Sequence, residues 1–369
     1  MPYTIRSLYY CAGHPSKPLM KEKIKVLIVD DAIVVRILVG NTISKDPELE
    51  FVGKAENGKI ALEKIAELKP DVVLLDIEMP EMNGLEVLKA LKEQGMPTKV
   101  IMFSTYTTVG AKHTFEALEL GASDFVPKPS SSGFSKGFEN VRDELFAKIK
   151  FVGSRAEATD HASALVKPSR KTSSLARGHY EVVMFEGGMG APRTFMSILP
   201  QIPQNFSAGL LIFQTMFAGF AEQFVRRIDQ NSQIEVKMAV DRDVVQAGRG
   251  LILFGDHYVA TKQAGPQIQL AFREKDSTEK YGSIPRILCE SIARVYGKKA
   301  IGVLLSGAGE GNVDGIQAMK TQGGVVIAEE PSNSIGRQVL DQFLAKDLVD
   351  EVVPTHEIVP TLSKFLGLL

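Results

Sequence analysis

Asp76 closes the apolar run Val72-Val73-Leu74-Leu75, and a short run of that kind reads as a buried strand. A carboxylate at the C-terminal end of such a strand sits at the mouth of an α/β sheet, where these folds bind their ligands. Two more strand ends deliver Asp30-Asp31 and Ser104-Thr105, and Lys128 follows a further strand. Parallel strands rise to one edge, so Asp30, Asp31 and Asp76 should converge. Carboxylates packed together repel one another unless a cation lies between them, and an all-oxygen donor set of this charge suits Mg²⁺. One Asp76 oxygen then remains free to attack phosphorus and form an aspartyl phosphate. Lys128 offers a point charge to phosphoryl oxygens, and the Ser104 or Thr105 hydroxyl offers a hydrogen bond. Acidic caps on an ordinary α/β domain would account for any one of these residues. Compatible groups at successive strand ends favour the acceptor site instead. The Lys128-Pro129 pair adds a constraint, because proline drives the preceding residue out of the α region and can aim its side chain.

These groups need a sheet to hold them. Lys25–Val29, the weaker Phe51–Ala55, Val72–Leu75, Val100–Phe103 and Asp124–Val126 read as strands. Helical spacing follows or separates them up to Ile43, at Gly58–Leu68, Leu85–Leu91, Lys112–Leu120 and Phe138–Ile149. Such alternation predicts a doubly wound parallel sheet of five strands with helices on both faces. Residues 153 to 178 are polar, basic and poor in large apolar groups, which marks a linker. Beyond it a second α/β pattern begins. Strands are expected at Val182–Phe185, Leu210–Phe213, Val236–Val240, Leu251–Phe254, Ala300–Leu305 and Val325–Ala328, with helices at Phe220–Ile228, Ile287–Tyr296 and Gly315–Lys320.

Composition bounds the function. A chain of 369 residues is long for one core, and two domains is the expectation. A formal net charge of -1 carries neither a nucleic-acid footprint nor a basic membrane-binding surface. Cys11 and Cys289 make at most one pair, which argues against a disulfide scaffold. No apolar stretch is long enough to cross a bilayer, and no signal core opens the chain, so a cytoplasmic protein without membrane insertion is expected.

The second half has the layout of a hydrolase. Val183-Met184-Phe185-Glu186-Gly187-Gly188-Met189-Gly190-Ala191-Pro192 reads as a strand, a small-residue turn and a helix start. An acyl-transfer enzyme would carry its nucleophile on such a turn. No serine, cysteine or threonine lies between Phe185 and Arg193, and Gly188 sits at its centre. The second glycine-rich run, Ser306-Gly307-Ala308-Gly309-Glu310-Gly311-Asn312-Val313-Asp314-Gly315, either cradles an anion through backbone amides or supplies close turns. Its lack of phosphate-loop form favours close turns. Glu186, Glu310, Asp314 and Asp256-His257 are the groups from which a relocated hydrolase site would have to be built. His257 reads more simply as a surface-loop imidazole, and Cys289 as a core thiol on an apolar helix face.

The first half resembles a response-regulator receiver domain. The resemblance rests on Val29-Asp30-Asp31, Asp76-Ile77-Glu78-Met79-Pro80 with Asn83-Gly84, Phe103-Ser104-Thr105, and Gly121-Ala122-Ser123-Asp124-Phe125-Val126-Pro127-Lys128-Pro129. It implies that Asp30 and Asp31 are the metal-binding acidic pair and that Asp76 is the phospho-acceptor. Glu78 would lend a backbone carbonyl to the metal, and Lys128 matches the family's lysine. Ser104 would be the switch hydroxyl and Phe125 the switch aromatic. From residue 180 onward the segment order resembles the methylesterase domain of the CheB family, whose members hydrolyse receptor glutamate methyl esters and deamidate receptor glutamines through a Ser-His-Asp triad. The serine position, in a Gly-Ala-Ser-Thr-Gly-Gly turn, falls on Gly188. The histidine position, in Gln-His-Met-Pro, falls on Thr215, and the aspartate position, in Thr-Gly-Met-Gly-x-Asp-Gly, falls on Gly311.

The expected organisation is therefore an N-terminal extension (1–23), a receiver domain (24–150), a linker (151–179) and a larger methylesterase-like α/β domain (180–369). The expected function is a two-component response regulator in chemotaxis or related signalling, with a catalytically degenerate output domain. Mg²⁺ is the implied cofactor and a sensor histidine kinase the implied phosphodonor. A chemoreceptor or a receptor-modification protein is the implied target. The alternatives are an active methylesterase or deamidase with relocated residues, and a phosphate sink.

Overall fold

The computed structural model describes residues 22–105, 108–129, 134–154, 179–255, 257–274, 283–308, 310–331 and 334–368. Cys11, Asp256, Gly309 and nearly all of the linker lie outside the described residues, as does the N-terminal extension up to residue 21.

The first unit runs β1 (Ile24–Val29), α1 (Ile33–Ile43), β2 (Leu49–Ala55), α2 (Gly58–Leu68), β3 (Val72–Leu75), α3 (Gly84–Glu93), β4 (Lys99–Thr105), α4 (Thr108–Leu120), β5 (Asp124–Lys128) and α5 (Phe134–Gly153). Val72 to Leu75 are all buried, as a strand covered on both faces must be. Local chemistry sets the helix starts. Asn57 caps α2 by accepting from the Ile60 amide, and Asn83 with Glu86 closes a capping box on α3. The sheet is parallel in the order β2-β1-β3-β4-β5. Its order reverses between β1 and β3, and the crevice at such a switch point is where the fold accepts a ligand.

The second unit begins with β6 (Val182–Gly187), α6 (Ala191–Ile198), β7 (Gly209–Gln214), α7 (Ala218–Asn231), β8 (Glu235–Met238) and β9 (Arg249–Leu253). It continues through β10 (His257–Ala264), β11 (Gln267–Glu274), α8 (Ser283–Tyr296), β12 (Ala300–Leu304), α9 (Val313–Thr321), β13 (Val325–Glu329), α10 (Ser334–Leu344), β14 (Glu351–Val353) and α11 (Ile358–Phe365). A larger sheet of seven strands is ordered β14-β13-β12-β6-β7-β9-β8, while β10 and β11 pair antiparallel by themselves. Sequence periodicity misses this hairpin, because β10 and β11 mix buried and exposed positions without clean alternation. His257 accordingly opens a strand rather than sitting in a loop, with its ring 5.7 Å from that of Phe272.

One apolar cluster runs through both units. It joins Leu27, Leu75, Phe115 and Phe125 of the first to Phe185, Phe195, Phe220 and Phe224 of the second. The bridge is aromatic: Phe125 and Phe220 have ring centroids 4.8 Å apart, and Phe115 and Phe224 5.5 Å. No helix among the described residues is long and apolar enough to cross a membrane.

Candidate functional site

The ends of β1, β3 and β5 bring Asp30, Asp76 and Lys128 together. The Lys128 ammonium lies 2.6 Å from Asp30 Oδ2 and 2.7 Å from Asp76 Oδ2, with all three side chains nearly buried. Asp30 Oδ1 accepts from the Ala32 amide at 2.9 Å, and Asp76 Oδ1 from the Ile77 amide at 2.7 Å. Burial, and then the neighbouring Asp30 charge, push the Asp76 carboxyl up to about 6 against the pull of Lys128. Burial also raises the Asp30 carboxyl. A single ammonium is thus shared between two carboxylates that water barely reaches.

Oxygens of Asp30, Asp31 and Asp76 lie within 4.8 Å of one another, and Asp31 is exposed where the others are buried. A divalent cation fits this all-oxygen set, and Asp31 leaves it open to solvent for the waters Mg²⁺ prefers to keep. Arg36 holds the acidic turn by donating to the Asp30 carbonyl at 2.6 Å and the Asp31 carbonyl at 2.8 Å. Its role was not legible in sequence, because an arginine on a helix reads as a surface residue. Glu78 lies beside Asp31 on the wall of a cleft of about 400 Å³ that Asn83 and His113 also line. Gly84 is required here: a Cβ would stand 2.2 Å from the Asp76 carbonyl oxygen.

Ser104 and Phe125, expected as switch residues, lie on the path toward the second unit. The Ser104 hydroxyl donates to the Gly110 carbonyl at 3.4 Å, which the Thr114 hydroxyl also engages at 2.8 Å. Phe125 is buried, T-shaped against Phe115 at 5.8 Å and stacked at a tilt on Phe220. Asp124, unremarked in sequence, takes the Gly190 amide at 2.8 Å, the Phe125 amide at 2.7 Å and the Lys148 ammonium at 3.2 Å.

In the second unit β12, β6 and β7 are neighbours, so Gly188, Thr215 and Gly311 follow adjacent strand ends. The Gly188 amide donates to the Ser306 carbonyl at 3.3 Å, and Gln214 Nε2 reaches the Gly188 carbonyl at 3.3 Å and that of Thr215 at 2.7 Å. A Cβ on Gly188 would lie 1.6 Å from the Gly307 carbonyl oxygen, so the two glycine turns are packed backbone on backbone. Behind them Asn312 donates to the buried Glu186 carboxylate and to Cys289 Sγ, the latter at 3.3 Å. Burial, and secondarily Glu186, push the Cys289 thiol far up, which makes it an inert core group. Asp314 is exposed on α9. Glu329, at the end of β13, accepts from Thr355 Oγ1 at 2.5 Å, the Ser306 amide at 2.7 Å and Thr194 Oγ1 at 3.4 Å. It faces a cleft of about 680 Å³ between the two units, and no sequence motif pointed to it.

Two family models match the chain: "Response regulator receiver domain" over residues 26–133, and "CheB methylesterase" over residues 183–362. A protein-glutamate methylesterase/protein-glutamine glutaminase of Pyrococcus horikoshii is 36% identical over 358 residues, 95% of this chain and 96% of that one. The protein of the same description from Thermotoga maritima is 34% identical, covering 91% and 96%. Among solved structures, the response regulator domain of Thermotoga maritima CheB is 45% identical, spans 36% of this chain and 97% of that one, and superposes with a TM-score of 0.34.

Proposed function

The chain belongs to the CheB family, a receiver domain joined to a methylesterase-like domain, and from that premise we propose that it is a response regulator whose second domain binds rather than hydrolyses. Asp76 is the acceptor in this reading. Its carboxylate oxygen attacks the phosphorus of a phosphohistidine on a sensor kinase, the phosphorus–nitrogen bond breaks, and an aspartyl phosphate results. Asp30, Asp31 and Asp76, with the Glu78 carbonyl, are the groups that would hold Mg²⁺, which when bound screens the charge of the incoming phosphoryl group. Lys128 is already in place to pair with phosphoryl oxygens, and Ser104 has to leave Gly110 to reach them.

The observation that carries the reading is the backbone contact of Gly188 with Gly307. A family member that hydrolyses esters needs a hydroxyl at that position and space in front of it. Gly188 offers no attacking atom, Thr215 is no base near neutral pH, and Gly311 cannot orient an imidazole. A bare phosphate sink is the weaker reading, because the switch aromatic Phe125 packs directly on Phe220 of the second domain and so links the acceptor to an output surface. A chemoreceptor or a receptor-modifying protein is the partner that the family relationship points to.

Methanol release from methyl-esterified receptor membranes tests this, with Mg²⁺ and beryllofluoride standing in for phosphorylated Asp76. An active family member and its serine-to-glycine variant set the upper level and the background. Turnover at background is expected, and clear turnover above it would overturn the reading.

The kinase's approach is testable separately. Ile33, Val34 and Ile37 expose 59%, 58% and 47% of their surface on α1, beside Asp30 and Asp31. A phosphodonor helix that covers them brings its histidine to Asp76. Ile37→Glu is expected to slow transfer from the kinase about tenfold while leaving phosphorylation by acetyl phosphate unchanged. Equal slowing with both donors would show that the substitution damages the acceptor site itself.

A further inference from the structure

The two faces that meet between the domains are chemically unlike. From the receiver, α4 contributes Phe115 and Glu119, and the start of β5 contributes Asp124 and Phe125. From the second domain, α7 contributes Phe220, Phe224 and Arg227, and the start of α6 contributes the Gly190 amide. The rings interleave, with Phe115 centroids 5.5 Å from Phe224 and 6.3 Å from Phe220. Arg227 grips the Glu119 carboxylate with two nitrogens, one at 2.8 Å. The Gly190 amide is taken by Asp124 at 2.8 Å. In these contacts the receiver supplies the carboxylates, and the second domain supplies the donors.

Opening this interface is costly unless something replaces the receiver. Phe220 and Phe224 are fully buried while the domains touch, and exposing buried aromatic surface to water is unfavourable. An open chain would present an aromatic patch with the Arg227 guanidinium beside it, of the kind that marks a binding surface. A bidentate arginine and a lone amide fit carboxylates held at a fixed spacing. Phe115 and Glu119 stand four apart on α4, so they share one helix face.

We infer that the α6–α7 face is the docking surface for an acidic amphipathic helix of a partner protein, one that carries a large apolar side chain and a glutamate four positions later, as α4 does in the resting chain. The inference rests on the interaction-module reading and names the surface that phosphorylation would uncover. Arg226, which pairs with Glu222 on its own helix at 3.3 Å, borders the adjoining cleft of about 270 Å³ from the α7 side, while Lys112 lines it from α4 and leaves with the receiver.

The test uses the full chain with and without Mg²⁺ and beryllofluoride, and a helix-stapled peptide of Thr108–Leu120 as the probe. Binding at least about tenfold tighter to the treated chain is expected, with that gain lost for a Glu119→Lys peptide. The Arg227→Glu chain should reverse the preference and take the lysine peptide. Hydrogen exchange at the α6 and α7 amides, read on the same samples, separates the two ideas. Faster exchange on treatment without peptide binding overturns the inference alone. No change in exchange and no binding overturns the interaction-module reading with it. Equal binding of both peptides, or capture by anionic lipid vesicles in place of the peptide, also overturns the helix assignment.

Discussion

Replacing Gly188 with serine is expected to destabilise the second domain by about 3 kcal/mol and to yield no esterase, even when Thr215→His and Gly311→Asp are added to rebuild the family's triad. The new Cβ would sit 1.6 Å from the Gly307 carbonyl oxygen. That neighbour is backbone, so relief requires the turn itself to move. The turn is tied down from both sides, because the Gly188 amide bonds to the Ser306 carbonyl and the Leu305 amide to the Glu186 carbonyl. Asn312 and Glu186 occupy positions where the family motifs have glycine, and their mutual hydrogen bond fills the space behind the turns. Urea denaturation followed at the second domain, with methanol release on the same samples, decides the matter. A stable triple variant that turns over ester would mean the two glycine turns separate readily and that only the side chains are missing.

Asp76→Asn is expected to abolish phosphate incorporation from any donor and, without divalent cations, to stabilise the receiver at neutral pH by on the order of 1–3 kcal/mol. The sign follows from the raised Asp76 carboxyl, which stands at about 6 in the fold against 3.8 as its ordinary value. An acid whose folded value is raised favours the fold while protonated, fully so below about 4, and that contribution is lost as pH rises through about 6. The asparagine variant has no such loss. The stability gap between variant and parent should therefore open between about pH 4 and pH 6 and stay level above that. Adding Mg²⁺ should close it, since the cation stabilises the ionised parent. A gap that runs the other way would mean Lys128 more than compensates Asp30 and Asp76, and one that Mg²⁺ leaves untouched would mean that no cation binds at Asp76.

Much of the cluster around Asp76 was legible in the sequence because each of its residues is tied to a local signal. Asp30, Asp76, Ser104 and Lys128 stand at or just after the ends of apolar runs, and parallel strands carry such ends to one edge whatever the rest of the chain does. The capping box of Asn83 and Glu86 on α3 likewise joins residues only three apart. The β10–β11 hairpin was not legible, since its partly buried strands break the alternation that periodicity relies on.

The sequence by itself determined a receiver-type parallel sheet with its acidic cluster, a larger α/β domain behind it, and the identities Gly188, Thr215 and Gly311 in turns that follow strands. Only the tertiary structure decided what those positions meet. The Asp124 bond to Gly190 spans 66 residues of chain and the Asn312 bond to Glu186 spans 126. The approach of Gly188 to Gly307 is likewise a contact between two strand ends that are distant in sequence. Periodicity and motif spacing report forces acting within a few residues, whereas these partners are chosen by which strand lies beside which in an open sheet and by how two packed domains share one apolar core.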